Sequence, residues 1–220
     1  AQVLDRAATD PERVRTLAAV IHRQAKHMIS LVEDLLDVAR VSRGHFGFSP
    51  KCIELTGAVQ QSIEQVRPQF EKRNHVLATS GLADPLWVNA DSTRLVQVIS
   101  NVLSNAARYT PDGGHIRLNV RTEDRKAVIE ISDDGIGIPP DFLPHVFALF
   151  SQHSRGIERN HAGLGIGLAL VKRLVERHGG RVLAHSAGAG QGSTFTILLP
   201  LIVVPALTPT APRERASDPA

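Results

Sequence analysis

The sequence predicts an α+β domain behind a long amphipathic helix, and three patterns carry that expectation. Val14, Ala18, Ile21, Ala25, Met28, Val32, Leu35 and Ala39 alternate spacings of four and three, which is a heptad seam. Leu95, Val98, Ile99, Val102 and Ala106 recur at helical spacing and bury one face of a second helix. Ile116, Leu118 and Val120 alternate with Arg117, Asn119 and Arg121, and Ala127, Ile129 and Ile131 alternate just downstream, so two half-buried strands return on each other through a hairpin at 123–126.

In chain order, residues 1–8 read as the tail of a helix. Asp10 then caps a new helix, with Pro11 suited to its first position and Glu12 to the positive end of its dipole. The heptad seam runs to about Arg43, where Gly44 stops it. Leu17, Leu31 and Leu36 widen the stripe, so this helix requires a helical partner, from another segment or from a second subunit. His22 and His27 lie beside the seam and read as solvated polar-face positions. Residues 45–55 form a linker and a first strand, in which Cys52 reads as a small core residue. Thr56 is expected to cap a helix with Val59, Ile63, Val66 and Phe70 buried, kinked at Pro68 and ended at Asn74. Short strands follow near 75–79 and 86–89, with Trp87 read as core, and Asp91 or Ser92 caps the helix over 95–110. Beyond the hairpin, a helix with Leu170, Val171, Leu174 and Val175 inside ends at His178-Gly179-Gly180, and strands at 181–186 and 193–199 complete the sheet. Residues 206–220 are rich in Pro, Ala and Thr and are expected to be disordered.

Composition narrows the function. An apolar fraction of 42% supports a real core, and a net charge of +3 from scattered basic residues does not point to nucleic acid or to a membrane surface. The single cysteine excludes an internal disulfide framework and gives no metal-site spacing. No apolar run reaches membrane-spanning length and no secretory signal opens the chain, so the expected compartment is the cytoplasm, with any membrane tether lying upstream.

The residues that can carry chemistry lie on one helix and two glycine loops. Asn101, Asn105 and Arg108 follow helical spacing on a side away from the buried stripe. An amide oxygen can ligate a hard cation and a guanidinium can bind phosphate, although the same stripe on a lone helix would simply face water. Asp133-Asp134-Gly135-Ile136-Gly137 leaves a strand end with a carboxylate able to accept from an exocyclic amine, or forms a plain Asp-Gly turn. Gly163-Leu164-Gly165-Ile166-Gly167-Leu168 opens directly into a helix, which suits phosphate, yet it matches neither the common P-loop nor a dinucleotide fingerprint. Residues 147–162 between the loops read as a lid anchored by Phe147 and Phe150. Gly192-Ser193-Thr194 is either a bend beside a strand or a contact to a loop or ligand.

In this order, Asn101-x-x-x-Asn105, Asp133-x-Gly135-x-Gly137, Phe147-x-x-Phe150, Gly163-x-Gly165-x-Gly167 and Gly192-Ser193-Thr194 resemble the catalytic ATP-binding domain of bacterial sensor histidine kinases, within the superfamily shared with gyrase, Hsp90 and MutL. LVEDLLDVARVSRG resembles the second helix of the dimerisation and phosphotransfer hairpin, and LGIGLALVKRLVERHGG is similar to kinases of the hybrid type. The resemblance covers roughly residues 10–200 and implies a two-layer α/β sandwich of the Bergerat type, a mixed sheet backed by helices behind a dimerisation helix. It divides the chain into a partial hairpin over 1–44, the ATP-binding domain over 45–203, and a tail or linker over 204–220.

The same resemblance implies roles by position. Asn105 would ligate Mg²⁺ with Asn101 assisting, Arg108 would contact phosphate, Tyr109 would pack on adenine and Asp133 would accept from its amine. Gly135, Gly137, Gly163, Gly165 and Gly167 would shape the loops, with Leu168 at the helix start and Thr194 as a further contact. The implied cofactors are ATP and Mg²⁺, and the implied partners are a second copy through the N-terminal helix and the receiver domain of a response regulator. Nothing in residues 1–44 matches the family's acceptor box, so the expectation is a kinase fragment whose γ-phosphoryl acceptor histidine lies elsewhere. A gyrase- or Hsp90-type ATPase is the alternative, disfavoured because Asn101 stands where those enzymes place a glutamate base. A nucleotide-binding dimerisation module without transfer activity is the third reading.

Overall fold

A computed structural model describes residues 47–151 and 165–202, together with residues 12, 14–22, 25, 28 and 36 near the N-terminus. Among the described residues from 47 onward the elements are β1 (Lys51–Glu54), α1 (Leu55–Lys72), β2 (Val76–Ser80), β3 (Trp87–Ala90), α2 (Ser92–Tyr109), β4 (His115–Glu123), β5 (Lys126–Asp133), α3 (Gly167–Arg177), β6 (Arg181–His185) and β7 (Ser193–Pro200), with a 3₁₀ turn at Leu143–His145.

Five strands form a mixed sheet in the order β2-β4-β5-β7-β6. Only β2 and β4 are parallel. The helices back one face, as the α+β expectation required, and the core lies between the two layers. Alternation sets which side chains reach it: Ile116, Leu118 and Val120 of β4 and Ile129 and Ile131 of β5 point inward and are buried. They meet Leu95, Ile99 and Leu103 of α2 and Leu170 and Leu174 of α3, each fully buried. Burying one such side chain contributes about 2 kcal/mol. The β4–β5 turn uses Asp124 and Arg125, both at positive φ, the geometry of a tight two-residue hairpin.

β1 and β3 form a separate antiparallel ribbon. Two core expectations fail on it, for one reason. Trp87 lies opposite Glu54 and Cys52 opposite Asn89, while Ile53 and Val88 take the alternate, inward face. Trp87 is therefore 36% exposed, and Cys52 is exposed. The start of α1 also differs: Glu54 is the cap position and Thr56 is already helical, its hydroxyl donating to the Glu54 carboxylate. Pro68 sits inside α1, which is assigned as one helix to Lys72, and Asn74 follows in the left-handed conformation.

Toward the N-terminus residues 14–22 are helical. Of the described seam members, Val14 is half-buried and Ala18, Ile21, Ala25 and Met28 are exposed, Ile21 at 51% and Met28 at 65%. His22 is helical and exposed, as read from the sequence. His27, the end of the seam, the 204–220 tail and the stretch 152–164, which includes Gly163 and most of the expected lid, lie outside the described residues. No described helix is long and apolar enough to cross a membrane.

Candidate nucleotide site

The site begins with the orientation of α2. Asp91 caps it, its Oδ1 accepting from Arg94 N at 3.2 Å. One face packs into the core through Leu95, Val98, Ile99, Val102 and Ala106. A second faces α1, where the Ser100 hydroxyl donates to Gln65 Oε1 at 2.8 Å and Gln69 Nε2 donates to Ser104 Oγ at 3.2 Å. The remaining side carries Asn101 and Asn105, half-buried, and then Arg108 and Tyr109, exposed. Asn101 Nδ2 is buried and has no hydrogen-bond partner.

The far end of α2 is held by two residues that the sequence reading passed over. Arg73 donates from Nη1 to the Ala107 and Arg108 carbonyls at 2.7 and 2.9 Å, and from Nε to Asp112 at 2.7 Å. A cation on the last carbonyls of a helix satisfies both their lone pairs and the negative end of the dipole. His75 Nε2 lies 3.0 Å from the Pro111 carbonyl. These contacts fix the backbone at Tyr109, whose carbonyl accepts from Ile136 N at 3.1 Å. The first glycine loop is thereby joined to the end of α2.

That loop is built around Asp133. Its Oδ1 accepts from Gly135 N at 2.9 Å and its Oδ2 from the Ser193 hydroxyl at 2.6 Å. Burial pushes its carboxyl above the ordinary carboxylate range, and the bonds from Ser193 and Gly135 offset this only in part. The β6–β7 loop is pinned against the same segment. Gly190 N donates to Ile136 O at 2.7 Å and Gly192 N to Gly135 O at 3.1 Å. Ser186 Oγ accepts from Ile138 N at 2.9 Å and donates to Gly192 O at 2.7 Å. Gly137 has φ +70°, and a Cβ there would sit 2.0 Å from Gly188 O. Asp134, next in line, turns to His115, accepting from its N–H at 2.8 Å and lying 2.9 Å from its Nδ1. Slight burial raises its carboxyl, but the contacts with His115 outweigh that and hold it below the usual range.

The second loop leads into α3. The first bond within that helix is Leu170 N to Ile166 O, and no side chain caps its start. The N–H groups of Gly167, Leu168 and Ala169 precede that bond and lie at the positive end of the dipole. Among the described residues, a Cβ on Gly167 would meet a single atom within 4 Å, Asn101 Nδ2 at 3.9 Å. Among the described residues, buried Asn101 Nδ2 and the first N–H groups of α3 thus lie beside each other at Gly167 with no acceptor between them. Leu168 packs half-buried against the core. Phe147 meets Phe195 edge to face at 6.2 Å, as an anchor should. Phe150 does not behave as an anchor: it is 62% exposed at φ +60°, tied through its N–H to Gly165 O at 3.1 Å.

The sheet register distinguishes the two hydroxyls of Gly192-Ser193-Thr194. Ser193 pairs with Asp133 and shares its face, whereas Thr194 pairs with Ser132 and His185 on the other face. The structure therefore brings Ser193, not Thr194, to the carboxylate. Alternation counted back from buried Phe195 gives Ser193 the inward face, but only the β5–β7 register sets it opposite Asp133. Among the described residues no group of three or more His, Cys, Asp or Glu could hold a metal ion, so a cation here would depend on neutral amide oxygens and on charge brought by its ligand.

A family model described as histidine kinase-, DNA gyrase B- and HSP90-like ATPase matches residues 90–203. The circadian input-output histidine kinase CikA of Synechococcus elongatus is 34% identical over 196 residues, covering 86% of this chain and 25% of that protein. The sensor histidine kinase WalK of Bacillus subtilis is 34% identical over 184 residues, covering 82% and 30%. The chain thus spans about a quarter to a third of the length of these relatives. Among solved structures, full-length ShkA in complex with AMPPNP superposes with a TM-score of 0.74 at 27% identity, over 88% of this chain and 40% of that one. The mycobacterial sensor histidine kinase MprB superposes with a TM-score of 0.59 at 31% identity, over 69% and 98%.

Proposed function

The chain belongs to the histidine kinase-, DNA gyrase B- and HSP90-like ATPase family, as the catalytic ATP-binding domain of a sensor histidine kinase, and from that premise we propose that it positions Mg²⁺·ATP for transfer of the γ-phosphoryl group to a histidine and onward to a response-regulator aspartate. The observation that carries the phosphate half of this reading is the meeting, among the described residues, of buried and partnerless Asn101 Nδ2, the uncapped N-terminus of α3 and an uncrowded Gly167. Donors with no acceptor among the described residues fit the oxygens of a polyphosphate.

Each residue then has a task. Asn105, one turn beyond Asn101, supplies the amide oxygen for Mg²⁺, and Asn101 donates to phosphate beside it. Arg108 lies at the exposed end of the same helix, able to reach phosphate. Asp133 is held by Ser193 and Gly135 as an acceptor for the adenine amine, with Tyr109 against the ring. Bound ATP supplies the transferable group and Mg²⁺ neutralises charge, while the protein contributes alignment and fixed donors. A homodimer through the N-terminal helix, where Ile21 and Met28 of the seam are exposed, presents the acceptor histidine, and the domain acts in the cytoplasm.

Phosphotransfer in trans tests this. The chain is mixed with Mg²⁺, γ-labelled ATP and a separately supplied acceptor-helix domain. Acid-labile label is expected on the acceptor and is expected to vanish with Asn105→Ala. Release of free phosphate at the same rate with and without the acceptor would instead favour a hydrolase.

A further inference from the structure

Asp91 stands where three parts of the molecule meet. Its Oδ1 caps α2, its Oδ2 accepts from Ser49 N at 3.1 Å, and its own N–H donates to His178 Nε2 at 3.1 Å. His178 directly follows α3, is 7% exposed, and its Nδ1 lies 2.7 Å from Leu174 O. With an N–H in front of one ring nitrogen and a carbonyl in front of the other, Nε2 accepts and Nδ1–H donates, which is the neutral imidazole. Burial holds the ring below the ordinary histidine range, against the bond to Leu174 and the charge of Asp91. Phe48 meets this ring edge-on at 4.8 Å, and the Arg177 guanidinium carbon lies 5.0 Å over the Phe48 ring. A linker residue, the cap of α2 and the end of α3 are therefore held by one side chain that the sequence reading treated only as a helix stop.

We propose that His178 is a positioning residue: by accepting from the Asp91 N–H it fixes the start of the helix that carries Asn101 and Asn105, and with it the seat of Phe48 and Ser49, where the segment arriving from the N-terminal helix docks on the ATP-binding domain. The nucleotide arm of this proposal rests on the ATP-binding function above, whereas the linker arm does not. Without an acceptor at 178, the part-buried Asp91 N–H is left unpaired and the cap shifts to find water. Asn101 lies on the same rigid helix, so a displaced first turn is transmitted to it as a misplaced amide.

The test uses the whole chain with Cys52→Ser and a nitroxide on Gly47→Cys, a position that is exposed and where an added Cβ meets no atom within 4 Å. His178→Gln keeps an acceptor for Asp91, and His178→Leu keeps the apolar packing without one. His178→Leu is expected to free the nitroxide and to weaken Mg²⁺·ATP binding about tenfold, the effect of one unpaired, part-buried donor. His178→Gln is expected to keep the label immobile and affinity within about threefold of the parent. Equal behaviour of the two variants overturns the proposal, since packing alone would then be the role. If the parent chain binds no Mg²⁺·ATP, the proposed function fails while the nitroxide still judges the linker arm. Should His178→Leu not fold, Phe48→Ala decides: it removes the ring contact and leaves the Asp91–His178 bond, so the label should loosen with affinity changed less than about twofold. A tenfold loss of affinity there, or an immobile label, overturns the assignment to His178.

Discussion

In the loop after β5, a Cβ on Gly135 would lie 2.5 Å from Tyr109 O and one on Gly137 2.0 Å from Gly188 O. At Gly167, in the second loop, the same atom would meet nothing closer than 3.9 Å. The boundary falls inside the second loop, because Gly165 is again crowded, 2.7 Å from Ser151 O. Glycines in the first loop are required by the protein's own backbone, which closes on itself through Gly190, Gly192 and Ser186. No described residue crowds Gly167, so there its bareness fits a ligand that would occupy the space. Glycines that look alike in sequence thus divide between holding a shape and leaving room.

That difference can be broken or sharpened by substitution. Gly137→Ala should be the most severe change, destabilising the fold by about 3 kcal/mol through left-handed strain plus a backbone overlap, measured by urea unfolding. A loss well under about 1 kcal/mol would mean that the loop is not clamped as described. Asn105→Ala should weaken Mg²⁺·ATP binding about ten- to a hundredfold while leaving the melting temperature near that of the parent, because the side chain is not part of the core. Gly167→Ala should weaken nucleotide binding about tenfold and leave stability unchanged or raise it by up to about 1 kcal/mol, since alanine favours the first helical turn. Destabilisation as large as that of Gly137→Ala would erase the distinction between the loops.

The smallest effect is a pH dependence at Asp133. Its folded pKa is raised, so the folded state keeps the proton to higher pH than the unfolded chain. The wild-type contribution is therefore fully favourable below the unfolded pKa and declines as pH rises through the folded one. A carboxamide in place of this carboxyl would not titrate and can keep both bonds, to Gly135 N and to Ser193. Asp133→Asn should thus melt slightly above wild type at neutral pH, with the gain disappearing in acid, and should lose adenine discrimination measured as ATP against GTP affinity. A gain that persists unchanged into acid would remove the burial argument.

Much of the site was legible beforehand because its residues follow local rules. Asn101 and Asn105 share a helix side by the 3.6-residue period, and the glycine loops announce strand-to-loop and loop-to-helix junctions. Ser193 was not separated from Thr194, because which hydroxyl faces Asp133 depends on the β5–β7 register. Trp87 and Cys52 were misplaced because residue type predicts burial on average, whereas the outer face of the β1–β3 ribbon is left uncovered.

By itself the sequence determined the element order, the buried stripe of α2, the two glycine loops and the family, because periodicity and backbone permissiveness are properties of neighbouring residues. The tertiary structure decided the rest: that Ser193 holds Asp133, that Arg73 and His75 close α2, that Ser186 locks the first loop, and that Phe48 seats on His178 beside Asp91. Each of those contacts joins residues 30 or more positions apart, and directed bonds at such separation exist only once the layers have packed.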